Sequence, residues 1–211
     1  MRRTLILGLA LAACNGANIS GEVQGEPVRG ARNAIFDQAD VNIPLIGSQK
    51  WLLLIVTDLP DACRVYTELA DNVEFTCEES CEDLGRIAQQ DLGADDYWTL
   101  NLTIIADPAR VDGTFTQASV PGSNQFSGTF TRWQTAHLYD EATCLQTCQD
   151  KGALPSDTTS VGGGTTLVDK YESNDTLNGS FDLVLDGDTI DGSFSAKPCP
   201  QLSDYVLWFP E

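Results

Sequence analysis

Short alternations of hydrophobic and polar residues dominate the chain. From Tyr97 to Ile105, Trp98, Leu100, Leu102 and Ile104 share one face and Thr99, Asn101 and Thr103 the other, the period-two pattern of a half-buried strand. Phe181, Leu183 and Leu185 repeat it, and Leu185-Asp186-Gly187-Asp188 leads through a tight turn into a strand over Ile190 to Ala196. Trp51-Leu52-Leu53-Leu54-Ile55-Val56 is apolar throughout, which suits a strand covered on both faces. Near the start, Ile19 to Gln24 and Val28 to Asp37 flank Gly25-Glu26-Pro27 and predict a hairpin.

A four-residue motif recurs in the second half: Asp112-Gly113-Thr114-Phe115, Ser127-Gly128-Thr129-Phe130, Asn178-Gly179-Ser180-Phe181 and Asp191-Gly192-Ser193-Phe194. The polar-Gly pair predicts a turn or bulge at positive φ, with the Phe falling on the inner face of the outgoing strand. Such a ladder predicts a mainly β fold, an antiparallel meander of about 9 to 10 strands that closes into a barrel or splits into a sandwich. Gly152 to Thr166, with Gly162-Gly163-Gly164, predicts a loop within it.

Two to three short helices interrupt the strands. Asp58 and Pro60 mark one start, with Cys63, Tyr66 and Leu69 or Ala70 on its inward side. Thr76-Cys77-Glu78-Glu79 is a capping box for a helix to about Gln90 that would align Cys81, Leu84 and Ala88. Asp140, with Glu141 behind it and Gly152 past the end, frames another. Cys77 with Cys81 and Cys144 with Cys148 then each lie one turn apart on a helix face, where they are poorly placed to bond each other. Two such helices packed antiparallel could be stapled twice, Cys77 to Cys148 and Cys81 to Cys144, leaving Cys63 for Cys199. Zinc is the competing reading, disfavoured because the spacing is C-x3-C and not paired C-x2-C.

The first fourteen residues account for the seventh cysteine. Arg2 and Arg3, an apolar run over Thr4 to Ala10, and Leu11-Ala12-Ala13-Cys14 have the layout of an export signal. The tetrapeptide resembles the lipobox of bacterial lipoproteins. That resemblance implies a signal peptide over 1–13, a diacylglyceryl group on the Cys14 thiol, acylation of its new amino group, and a lipidated tether over 14–18 ahead of a single β-rich domain over 19–211. Asn15, in place of an Asp, implies the outer membrane by the same resemblance. An ordinary secretory signal with a chance cysteine is the alternative. The remaining six cysteines are an even set, as disulfides in an exported chain require.

Charge then excludes and places. The 31 acidic against 12 basic residues leave −19, a surface that repels nucleic acid. Loss of residues 1–13 removes Arg2, Arg3 and no acid, so the remaining 198 residues carry −21. Such a body stands off from an anionic membrane face. The order of lipobox, short glycine strand (Ser20-Gly21-Glu22-Val23), apolar strand leading to a helical cysteine (Thr57 to Cys63) and G-x-F hairpin closing on a cysteine (Gly179 to Cys199) also resembles uncharacterised envelope lipoproteins. That group transfers no catalytic or binding residues.

Chemistry is sparse. His137 is the one histidine and lacks a Gly-x-Ser-x-Gly elbow or a free cysteine partner, and the paired acids (Asp95-Asp96, Glu78-Glu79) single out no glycosidase dyad. Asp186, Asp188 and Asp191 are the one candidate for a metal, calcium, although two hairpin turns in close succession explain the same residues and are the favoured reading. Among the tryptophans, Trp51 and Trp98 read as core, while Trp133 and Trp208 could stack on a sugar. No cofactor is implied. The expectation is therefore a lipid-anchored envelope protein that binds an envelope component or an extracellular ligand without catalysis. A small-molecule-binding barrel, lipocalin-like or carbohydrate-binding, comes second, and an envelope hydrolase third. A filled strand interior (Phe115, Phe181, Leu183) would favour the first and a large cavity the second.

Overall fold

The computed structural model describes residues 16–70, 77–78, 81–82, 96–117, 124–134, 140–151 and 156–202. Among the described residues there are ten strands: β1 (Ala17–Val23), β2 (Glu26–Pro27), β3 (Asn33–Ile43), β4 (Gly47–Thr57), β5 (Tyr97–Ala106), β6 (Gly113–Gln117), β7 (Gln125–Trp133), β8 (Ser156–Glu172), β9 (Thr176–Leu185) and β10 (Asp188–Pro198). Helix α1 (Ala62–Ala70) follows β4, and α2 (Glu141–Lys151) follows β7. Strands β3-β4-β5-β7-β8-β9-β10 are antiparallel neighbours in that order.

The two ends of this series meet. Ser195 donates its amide to the Gly16 carbonyl and Cys199 donates to Phe36. Amides an even number of residues apart point to the same edge of an extended strand. Strands β1 and β3 therefore lie end to end along one edge of β10, β1 antiparallel at Ile190 to Phe194 and β3 parallel at Lys197 and Pro198, while β9 occupies the other edge. The sheet closes on itself as a barrel, which removes its open edges.

Side chains alternate between two cores. Inward, Phe36, Leu52, Leu54, Val56, Leu100, Leu102, Ile104, Phe115, Phe126, Phe130, Phe181, Leu183 and Phe194 fill the barrel. Outward, Ile35, Leu53 and Ile55 pack under Ala62, Val65 and Tyr66 of α1 and under Cys81, Cys144 and Cys148. The continuous apolar run of β4 thus serves both layers. Disulfides join Cys63 to Cys199, Cys77 to Cys148 and Cys81 to Cys144, with Cα atoms 5.5, 5.7 and 5.8 Å apart. The last two connect α2 to helical residues 77–78 and 81–82 in crossed order, so these helical segments run antiparallel.

Several local expectations need correction. The hairpin around Gly25 is present but short: β1 pairs with the two-residue β2 and Val28 donates to the Gly21 carbonyl, after which Gly30 turns the chain at φ +76° and β3 starts at Asn33 to pair with β4, not with β1. The triple glycine is no loop but a bulge within the 17-residue β8, where the register with β9 shifts between Val161 and Gly163. That bend lets β8 change neighbours, from β7 at Ser156 to Ser160 to β6 at Thr165 to Val168. In the repeated motif Gly113 alone takes positive φ; Gly128, Gly179 and Gly192 sit within strands, each filling an inward position two residues before the Phe. Trp51 is half-buried and belongs to neither core, its Nε1 donating to Gln49 Oε1 at 3.1 Å. Asp58 lies four residues ahead of α1 and fastens to β5.

Candidate functional site

The barrel interior was the natural place for a ligand, and side chains occupy it. A residue lining a void large enough for solvent keeps accessible surface, yet Leu52, Leu54, Leu100, Leu102, Ile104, Leu183, Leu185 and Ile190 keep none, and Phe115 and Phe126 keep 1%. Small and large inward residues alternate to achieve this. A Cβ on Gly179 would lie 2.7 Å from Phe194 Cζ, and one on Gly192 would lie 2.7 Å from Phe181 Cζ, so each ring takes the space that its neighbour's glycine leaves. One end is further plugged by the β1–β2 turn. There Val23 and Val28 are buried, Gln24 donates to Thr159 Oγ1 at 3.1 Å, and Arg132 reaches Glu26 at 3.1 Å while its guanidinium lies over Phe130.

Asp58 is the titratable group most altered by the fold. It accepts from the Trp98 amide at 2.8 Å, tying the end of β4 to the start of β5. Burial raises its pKa from 3.8 to about 6, against the backbone hydrogen bonds of Trp98 and of Asp58 itself and the charges of Arg32 and Arg132. Neighbouring Thr57 donates to the Trp98 carbonyl and accepts from Leu59, so the whole corner is structural in its bonding. No nucleophile hydrogen-bonds to Asp58 among the described contacts.

The calcium candidates do not converge. Asp188 accepts from the Gly25 amide at 3.2 Å and Asp191 from the Ser20 hydroxyl at 3.1 Å, on opposite faces of β10. Asp186 and Gly187 form the β9–β10 turn at φ +48° and +94°. Among the described residues no three His, Cys, Asp or Glu side chains could hold a metal ion. Of the two stacking candidates, Trp133 is engaged, stacking on Tyr97 at 5.8 Å with its Nε1 3.4 Å from Thr99 Oγ1; Trp98 lies in the core against Phe130, as expected. Residues 1–15, Leu84, Ala88, Asp95, His137, Gly152, Trp208 and the side chains of Leu69, Ala70 and Glu141 lie outside the described residues.

Two surface features were not anticipated. A pocket of about 180 Å3 lies beside the Cys63–Cys199 bond, lined by Asn33, Ile35, Asp61, Ala62, Lys197 and Pro198. It is too small for most organic ligands. The other is the β3–β4 turn, whose Leu45 and Ile46 are the most exposed large hydrophobic residues described. The signal for it stood in the sequence as Ile43-Pro44-Leu45-Ile46-Gly47, a turn with no polar residue at its centre. Among the described residues no helix is long and apolar enough to cross a membrane. Comparison with protein-family models, with curated proteins and with solved structures found no match for the chain.

Proposed function

We propose that the chain is a lipid-anchored protein of the bacterial cell envelope, held by Cys14 at the outer membrane, that works by binding another envelope component or an extracellular ligand through its outer surface. The observation that carries this reading is the cysteine inventory. Six of the seven cysteines bond to one another, so the chain holds no disulfide partner for Cys14, which ends the sequence Leu11-Ala12-Ala13-Cys14. Three disulfides also fit an oxidising compartment beyond the cytosol.

The filled barrel favours a binding surface over an interior ligand site, and the one carboxylate at the corner of β4, Asp58, accepts from the Trp98 amide. Labelling with an alkyne fatty acid, followed by mass spectrometry of the mature amino terminus, tests the anchor. Modification that vanishes in Cys14→Ser supports it, and an unmodified terminus at another residue refutes it. Mass spectrometry of material co-purified with the native acylated protein tests the role. A stoichiometric envelope protein or glycan supports surface binding, whereas a small molecule alone favours a pocket.

A further inference from the structure

The β3–β4 hairpin ends in an apolar turn that the rest of the described fold leaves bare. Ile46 donates its amide to the Ile43 carbonyl at 3.1 Å, which makes Pro44 and Leu45 the central residues. Leu45 takes φ +75° there. That is the second central position of a type II turn, where glycine or asparagine is favoured because a Cβ is crowded at positive φ. Its side chain is fully exposed, and Ile46 is 51% exposed. The chain thus places its most exposed large apolar side chain, among the described residues, where a side chain also strains the backbone. Two local costs falling on one residue point to a use outside the fold.

Charge singles out the same turn. In a chain of net charge −19, the nine residues from Val41 to Gln49 carry none. The flanking Asp40 and Lys50 neutralise each other at 2.6 Å. The acidic β5–β6 connection, with Asp107 and Asp112, starts near the level of Lys50, which pairs with Ala106, so the turn extends past it.

Position supplies the third argument. β1 runs antiparallel to β10, so β1 begins at the end of the barrel toward which β10 runs. β3 runs parallel to β10 from Ile35, so its turn points the same way. Cys14 is two residues from Gly16, a reach of at most ~7 Å, and Leu45 is ten residues beyond Ile35, up to ~30 Å along the strand, so both meet one interface only where the β3–β4 hairpin lies along it.

The geometry points to a second membrane contact: the Pro44-Leu45-Ile46 turn inserts into the interface of the bilayer that holds Cys14, and so sets how the barrel stands on it. This rests on the anchor proposed above. A lipid surface fits the turn better than a protein groove does, since the turn lies on the anchor's side and its three residues offer no side-chain hydrogen bond or charge.

The test uses the acylated chain on phosphatidylcholine vesicles, reading anchoring by flotation and the turn by amide exchange over residues 41–49. The expected result is flotation with exchange slowed about tenfold or more. In Leu45→Asp/Ile46→Asp, or Leu45→Ser/Ile46→Ser should the charged pair disturb the fold, flotation persists and the slowing is lost. Flotation with unchanged exchange overturns the inference and leaves the anchor standing. Slowed exchange in the lipid-free chain that grows with protein concentration also overturns it, in favour of a second copy. Failure to float refutes the anchor instead, and the turn is then read in Cys14→Ser at millimolar lipid. There, adding the two Asp substitutions should weaken partition about tenfold, and equal partition overturns the inference.

Discussion

Phe181 and Phe194 stack across the β9–β10 ladder with ring centroids 6.4 Å apart, and each faces the glycine two residues before the other. The pairing is reciprocal, Phe194 opposite Gly179 and Phe181 opposite Gly192. A Cβ at Gly179 would also lie 2.0 Å from the Leu167 carbonyl oxygen, and one at Gly192 2.4 Å from that of Asn18. These oxygens belong to paired neighbouring strands and cannot retreat without disturbing the ladders. Gly179→Ala and Gly192→Ala should each cost at least ~3 kcal/mol in urea unfolding. Gly30→Ala, at φ +76° with open space around it, should cost only about 1 kcal/mol.

The Cys63–Cys199 bond spans 136 residues and sits just past the two-residue pairing of β10 with β3. Closing so long a loop restrains the unfolded chain by roughly 4 to 5 kcal/mol. Cys63→Ala/Cys199→Ala should therefore lower the melting temperature by about 10 °C or more in calorimetry, with both other bonds intact.

Asp58 sets a pH dependence of definite sign. Its pKa is raised to about 6, so between pH 4 and 6 the folded chain holds a proton that the unfolded chain has released. Its contribution to stability consequently falls as pH rises through that window and stays lower above it. Asp58→Asn can still accept from the Trp98 amide. It should be more stable than the parent at pH 7, on the order of 1 kcal/mol once the solvent contact of this half-buried group is discounted, and this gain should disappear near pH 4.

Thr166 faces inward on β8, fully buried, and its hydroxyl finds no hydrogen-bond partner. Valine has nearly the same shape without the unmet polar atom. Thr166→Val should raise stability by about 1 to 2 kcal/mol in denaturant titration, and a loss would show that the hydroxyl is satisfied in solution.

Leu45 separates stability from use. Leu45→Gly relieves the positive φ and should raise stability by up to ~1 kcal/mol, offset in part by glycine's greater freedom in the unfolded chain. The same variant should weaken the slowing of exchange over residues 41–49 on vesicles.

Periodicity made most of the barrel readable. The alternation from Trp98 to Ile104 maps onto the inward face of β5, and the unbroken run from Leu52 to Val56 onto a strand between two cores. Glycine was read less well, because φ and close approach leave the same letter. Gly179 and Gly192 look like turn formers until the rings that cover them are placed, and the three glycines of β8 look like a loop until their neighbours on β6, β7 and β9 are known. Asp58 resembled a helix cap because its true partner, the Trp98 amide, is 40 residues away. Leu45 carries no chemical signal in the sequence, since its interest lies in exposure and backbone angle.

Barrel closure also dictates a timetable. Closure joins early strands to the last one described: Gly16 bonds to Ser195, and Phe36 to Cys199. A chain synthesised from its amino terminus delivers β1 and β3 first and must keep those edges unsatisfied until nearly the whole described length has been made. The nonlocal pairing makes late, slow closure the expected rate-limiting step. In that interval an exposed sheet edge meets other chains, so the yield of folded protein depends on how quickly its last dozen described residues arrive.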